Sequence, residues 1–316
     1  MPRPLAIEIL DAIVSSYRSQ RMHAHEHEND APTEERDFEV GEFTSLELSG
    51  PFDVEIRTGE SASVHATGPD WALDSLAVEH KGERLFIGCD GDCSSDVEIV
   101  VGVQDLHALR MTGSADVSID SVKGESFECA SSGSGDLEVD EIDVRTLDLA
   151  AGGSGDIGID TIKAVEFEAR LGGSGDLSID SIHSAEFKLT VSGSADTEID
   201  EYRGERFEAV LSGSGDLAVE NLEAHEVKLS LFGSGDVSIG SGRATNVTLE
   251  TSGSGDIDAE GLEAQEASIS TSGSGDISAC ASDSAEISVM GSGDVAVTGG
   301  AKATVRASGS GDVRLS

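Results

Sequence analysis

The stretch Gly172–Ile182 reads GGSGDLSIDSI, and near-copies of it recur along most of the chain. Aligned on its aspartate, the motif returns at Asp116, Asp136, Asp156, Asp176, Asp196, Asp216, Asp236, Asp256 and Asp276, each 20 residues after the last. Two further copies, at Asp294 and Asp312, follow at spacings of 18. Eleven copies at a nearly fixed period predict a solenoid, in which each unit packs only on its neighbours.

Within each unit the apolar residues after the aspartate alternate: Val117 and Ile119, Leu137 and Val139, Ile157 and Ile159, Leu177 and Ile179. That is the period of a strand with one buried face. A second inward strand is predicted by Phe127, Leu147, Phe167, Phe187, Phe207, Val227 and Val247, with Cys129, Leu149, Ala169, Leu189, Ala209, Leu229 and Leu249 two residues on. Between the two strands a single apolar residue (Val122, Ile142, Ile162, Ile182, Tyr202, Leu222) suits a corner or a third short strand. A 20-residue unit that turns two or three times and returns to its start is one coil of a parallel β-helix. At about 4.8 Å per strand, eleven coils span about 50 Å.

The copies also show what the turn requires. Its first glycine (Gly113, Gly133, Gly153 and onward) and its serine never change, whereas the second glycine is Ala115 and Ala195 in two copies. The first position is therefore expected to need a positive φ or a crowded backbone, and the second only a small residue. Serine and aspartate can bond to backbone groups within a tight turn, so the leading expectation for Asp116 to Asp312 is structural. The alternative is a column of carboxylates, about 4.8 Å apart, bridged by calcium. The motif partly matches the calcium-binding repeats of secreted toxins, but there the repeat is shorter and the aspartate does not directly follow glycine.

Composition narrows the function classes. The 316 residues carry 20 basic and 62 acidic side chains, a formal charge of -42, which opposes binding to nucleic acid or anionic lipid. Such a surface suits cations, basic partners or concentrated salt. Hydrophobic residues make up 37% of the chain and fall in columns, so the acidity does not imply disorder. No apolar run reaches the length of a membrane-spanning helix. LAIEILDAIV near the N-terminus contains Glu8 and Asp11 and does not read as a secretion signal.

Three segments are expected. Residues 1–37 combine a short amphipathic helix (Leu5, Ile9, Ile13 and Tyr17 on one face) with a polar linker. Residues 38–107 form irregular N-terminal coils, beginning with the alternation in DFEVGEFTSLELSGPFDVEIRTG, where Ser49–Val54 resembles a degraded copy of the motif. Residues 108–316 are the regular array.

Taken together, FTSLELSGPFDVEIRTGESASVHATGP, LAVEHKGERLFIG and the GSGDLSID units resemble the bacterial auto-transporter adhesin "head GIN" domain family over about residues 38–316. The resemblance implies a right-handed parallel β-helix and an association with the bacterial envelope or the extracellular space. It supplies no catalytic residues. The chain shows neither a recognisable signal nor a C-terminal membrane barrel, so self-export is not expected.

Other candidate chemistry is weighed against plainer readings. His23, His25 and His27, with Glu26 and Glu28, could bind zinc or nickel, but a solvated linker is favoured. Cys89 and Cys93 are spaced for a small disulfide loop or for two metal ligands. Cys129 falls in an inward column and is expected to be buried and inert, whereas Cys280 lies in a changed coil. Phe232 replaces serine or glycine in its column and could contact a sugar or a partner. The uniform aspartates break nowhere into a cluster of the kind that paired-acid glycan cleavage needs, so no enzyme and no required cofactor are expected.

The sequence therefore points to a non-enzymatic, adhesin-like binding protein that presents repetitive acidic surfaces to a protein or glycan partner. An intracellular self-assembling scaffold and a calcium-stabilised module are the alternatives. Lys302, Arg306 and Arg314 make the last coil basic and suggest a homo-oligomer formed through it.

Overall fold

The computed structural model describes residues 33–90 and 93–316. The expected helix of residues 1–17 and the His23–His27 tract lie outside them. In chain order the elements are β1 (Thr33–Phe38), β2 (Ser45–Ser49), β3 (Asp53–Thr58), β4 (Ser63–Pro69), the five-residue helix α1 (Asp70–Asp74), β5 (Leu76–Lys81), β6 (Arg84–Cys89), β7 (Glu98–Val103) and β8 (Ala108–Met111). The array then runs through β9 (Val117–Ser131), β10 (Leu137–Ala151), β11 (Ile157–Leu171), β12 (Leu177–Val191), β13 (Thr197–Leu211), β14 (Leu217–Leu231), β15 (Val237–Thr251) and β16 (Ile257–Thr271). It ends with β17 (Ile277–Val289), β18 (Val295–Thr298), β19 (Lys302–Ala307) and β20 (Val313–Leu315).

This is a β-solenoid of about ten turns with a spacing of about 20 residues. Each of β9 to β16 is one 15-residue path that pairs in parallel with the next, as in Leu177↔Thr197, Ile179↔Ile199 and Phe187↔Phe207. The path is bent. In β12 the in-out alternation fails at Asp180–Ser181 and again at Ala185–Glu186, and the ladder to β13 skips Asp180 and Ala185. With the GSGD turn these two breaks close a three-sided coil, and Ile182 points inward from the short side between them.

The core is the stack of inward columns, which are almost completely buried. Rings pile up where the sequence allows, Phe167 on Phe187 at 4.8 Å and Phe187 on Phe207 at 5.2 Å between centroids. Tyr202 occupies the column that holds Val122, Ile142, Ile162, Ile182 and Leu222 in other coils, and its hydroxyl donates to the carbonyls of Ser184 (3.2 Å) and Arg206 (2.6 Å). Gly204 makes room for it, since a Cβ there would lie 2.4 Å from the Tyr202 oxygen. The Phe column shrinks along the chain to Val227, Val247, Ala267 and Ala285, so the coil interior narrows toward the C-terminus. The 18-residue spacing comes from two register shifts between β16 and β17: the pairing passes from Ala259↔Ala279 directly to Glu263↔Cys280, leaving Leu262 without a counterpart, and then from Ala264↔Ala281 to Glu266↔Ser284, which restores one residue.

The N-terminal region is less regular in its topology. β2 lies between β8 and β6, and β3 between β9 and β7, all in parallel, so the β2–β3 coil is sandwiched between one coil that follows it in sequence and another that follows later still. The Ser49–Val54 segment is the turn of that coil: the Ser114 N–H donates to the Gly50 carbonyl at 3.0 Å, as Ser134 does to Gly113 at 2.9 Å. Beyond β6 and β7 the direction reverses, with β5 antiparallel to β6, β4 antiparallel to β7, and β1 antiparallel to β4. β1 begins at Thr33, five residues before the apolar alternation starts. TEERDF has no buried face to announce it and is held by backbone pairing at the sheet edge.

Candidate functional site

The aspartate column is the most repeated chemical feature of the molecule. The N–H of each motif aspartate from Asp136 to Asp312 donates to Oδ1 of the aspartate one coil earlier, at 2.7–2.9 Å throughout. The aspartate carbonyl meanwhile accepts from the residue after the preceding aspartate, as in Leu137 N–H to Asp156 O at 2.9 Å. The carboxylate thus satisfies a backbone donor at the point where the coil turns out of its ladder. Burial pushes Asp136, Asp176 and Asp216 above the ordinary carboxylate value, an effect opposed by the backbone hydrogen bond and reinforced by neighbouring carboxylates.

The glycines explain the rest of the motif. The first one is crowded and does not adopt a positive φ: a Cβ on Gly193 would lie 2.0 Å from the carbonyl oxygen of Gly173, and the positive-φ residues all lie elsewhere. The second column is as tight: a Cβ on Gly215 would lie 1.9 Å from Ala195 O. Ala115 and Ala195 nevertheless fit there, buried, so local backbone adjustment admits a methyl group at the second position.

As candidate metal ligands, the aspartates from Asp116 to Asp312 form a line and do not converge. Among the described residues, no three His, Cys, Asp or Glu side chains come together around a point that could hold a metal ion. Cys89 and Cys93 form a disulfide, while Cys129 and Cys280 are free. Cys129 is buried, which pushes its thiol up to about 12. Phe232 faces solvent, 51% exposed.

A feature that the sequence reading missed lies on the outer side of the second inward strand. A shallow groove of about 660 Å³ crosses several coils there, lined by Glu128, Asp148, Glu168, Glu186, Lys188 and Arg206 among others. Its residues alternate with the Phe column, so the signal was present in the outward positions of the same strand. Cations on the solenoid surface sit between carboxylates of neighbouring coils. Arg206 reaches Glu226 at 2.9 Å and Glu186 at 3.4 Å, and Glu141 receives Lys123 at 3.1 Å and Lys163 at 2.7 Å. Each exposed pair contributes little alone, but together they offset repulsion between acidic columns. Among the described residues, no helix is long and apolar enough to cross a membrane.

A comparison with curated proteins finds no match. Among solved structures, the chain is similar to a "putative adhesin" of Bacteroides fragilis, at 18% identity over 90% of this chain and 97% of that one, with a TM-score of 0.30. It is likewise similar to a "putative adhesin" of Parabacteroides distasonis (18% identity, 91% and 98% coverage, TM-score 0.36) and to one of Parabacteroides merdae (15%, 90% and 96%, 0.36). Residues 42–201 and 199–301 match the family described as "putative auto-transporter adhesin, head GIN domain", and the chain belongs to that family.

Proposed function

We propose that this protein is a non-enzymatic, adhesin-like binding module that presents its acidic solenoid faces to a protein or glycan partner at the cell envelope. Membership of an adhesin family supports the general reading. The observation that carries the specific one is the groove, whose carboxylates Glu128, Asp148, Glu168 and Glu186 lie on a rigid parallel ladder. Rigid elements hold a binding constellation at little entropic cost on association. The groove's charge suits a partner carrying cationic groups. In this reading the aspartate column supports the turns and is not a ligand site.

The test is retention of a panel of glycans and basic peptides on the immobilised chain, as a function of salt. Retention that weakens with salt and is lost when Glu128, Glu168 and Glu186 are changed to glutamine is expected. Equal retention by that variant would remove the groove from the proposal. Protease treatment of intact cells addresses location, and recovery of the protein only from cytosol would overturn the envelope reading.

A second observation favours self-association. Val305 and Leu315 in the last coil are 42% and 52% exposed, although Ile287 and Val297 in the same columns are buried, and Lys302 and Arg306 stand exposed beside them. We propose that this basic, partly apolar coil can meet an acidic surface of a second copy. Sedimentation as a monomer at high protein concentration would oppose it.

A further inference from the structure

In the motif's first-glycine column, from Gly113 to Gly309, the missing Cβ points toward the coil on the N-terminal side. On Gly133 it would meet Gly113 O at 1.8 Å, on Gly153 Gly133 O at 1.9 Å, and on Gly113 it would meet Gly50 N at 2.5 Å. From Gly113 onward the coil on that side excludes a side chain, whereas at Gly50 a Cβ would meet the Phe52 ring at 2.2 Å. Among the described residues, β6 and β7 form the outermost parallel coil. Its pairing Ser49↔Gly88 puts Cys89 one residue on, in the column of Gly50. The position that is glycine in every inner coil is a cysteine here, and it is bonded to Cys93.

The surroundings fit a turn rebuilt by other means. Cys89–Asp90 and Cys93–Val97 stand where the inner coils have GSGD, between β6 and β7. The Asp90 N–H donates to Ser75 O at 2.9 Å, which ties the loop to the end of α1. Ser94 Oγ donates to Asp96 at 2.9 Å, and the Asp96 N–H donates back to Ser94 Oγ at 3.1 Å. Val97 then enters the core, where its carbonyl accepts from the Asp53 N–H at 3.1 Å.

We propose that the Cys89–Cys93 bridge is a covalent cap on the N-terminal end of the glycine stack. Reduction by a dithiol converts the bridge to two thiols and leaves the reductant as its own disulfide, so electrons and protons balance. A ring this small constrains the unfolded chain only modestly. Its effect is therefore local: it pins the turn that positions β6 and β7, on which β5 and β4 are hung. In a solenoid, stability passes between neighbours, and loosening an end frays that end before the middle. Bridges of this kind persist in oxidising compartments, so the cap fits an extracytoplasmic protein without depending on the groove or its ligand.

The experiment uses the full chain. Alkylation in denaturant without reductant, read by intact mass, is expected to label two cysteines, Cys129 and Cys280, and all four after reduction. Hydrogen exchange is then compared for the oxidised protein, the reduced protein and the Cys89→Ser/Cys93→Ser variant. Exchange in β5, β6 and β7 is expected to accelerate by about tenfold or more on reduction, with β10 to β16 unchanged. Four labels in unreduced protein would overturn the bridge. Unchanged exchange in β5 to β7 after reduction would overturn the cap while leaving the bridge in place. The variant must match the reduced protein and ignore reductant; a residual response would assign the effect to another cysteine.

Discussion

The array from β9 to β17 and the strands β2–β3 and β6–β7 stack in parallel along one ladder but make their turns by different means. The array repeats one turn, and every coil both receives and supplies the same contacts. The N-terminal region has no repeat to rely on. It places β2–β3 between two later segments and reverses strand direction in β5, β4 and β1, with a disulfide at its outermost parallel turn. Repetition fixes register cheaply but leaves an open strand edge at each end. Irregularity is what finishes an end.

The largest expected break in this contrast comes from the array's core. Phe187→Ala removes a ring that touches Phe167, Phe207 and Tyr202 and should cost about 4 kcal/mol in denaturant unfolding. Next is Gly193→Ala, where the new methyl would collide with the Gly173 carbonyl, at about 3 kcal/mol. The same change at Gly152, where a Cβ would come within 4.0 Å only of the Ser131 carbonyl, should be close to neutral and serves as its control within the array.

Asp176→Ala leaves the Asp196 N–H without its acceptor and should cost about 2 kcal/mol. Asp176→Asn keeps an acceptor and removes a charge from the column, so it should cost less than the alanine. Thermal unfolding of both against calcium and sodium chloride sharpens the point. With a turn role, calcium shifts Tm no more than its ionic strength does.

The smallest effect is that of pH. Asp136, Asp176 and Asp216 have folded-state values raised by burial, so they favour folding below the ordinary carboxylate value, and that contribution is lost as pH rises through the folded value. Glu141, held low by hydrogen bonds from Lys163 and Lys123, acts in the opposite sense and loses its contribution as pH falls. Tm should therefore rise as pH is lowered from neutral toward the carboxylate range, then fall. Changing the three aspartates to asparagine should flatten the rise.

The array was legible because repetition turns one sequence into an alignment of itself. Columns such as Phe167–Phe187–Phe207 declare their direction without a structure. What stayed hidden depended on neighbours distant in the chain. Nothing in TEERDF reveals that it will pair with β4, and the β2–β3 insertion between later coils leaves no periodic trace. Tyr202 and Gly204 read as two unrelated departures from consensus until packing shows that one makes room for the other. The invariance of the first glycine was visible, but its cause, a neighbouring carbonyl and not a turn angle, was not.

The aspartate bonds all point the same way along the stack. An amide reaches back to the coil before, and a carboxylate waits for the coil after. A partly folded array therefore has a sense of direction: its leading turn offers an unfilled acceptor that the next twenty residues are built to occupy, and its trailing turn offers none. A chain threading out of a ribosome or through a pore delivers its coils in that same order, so each arriving segment meets a template already in place.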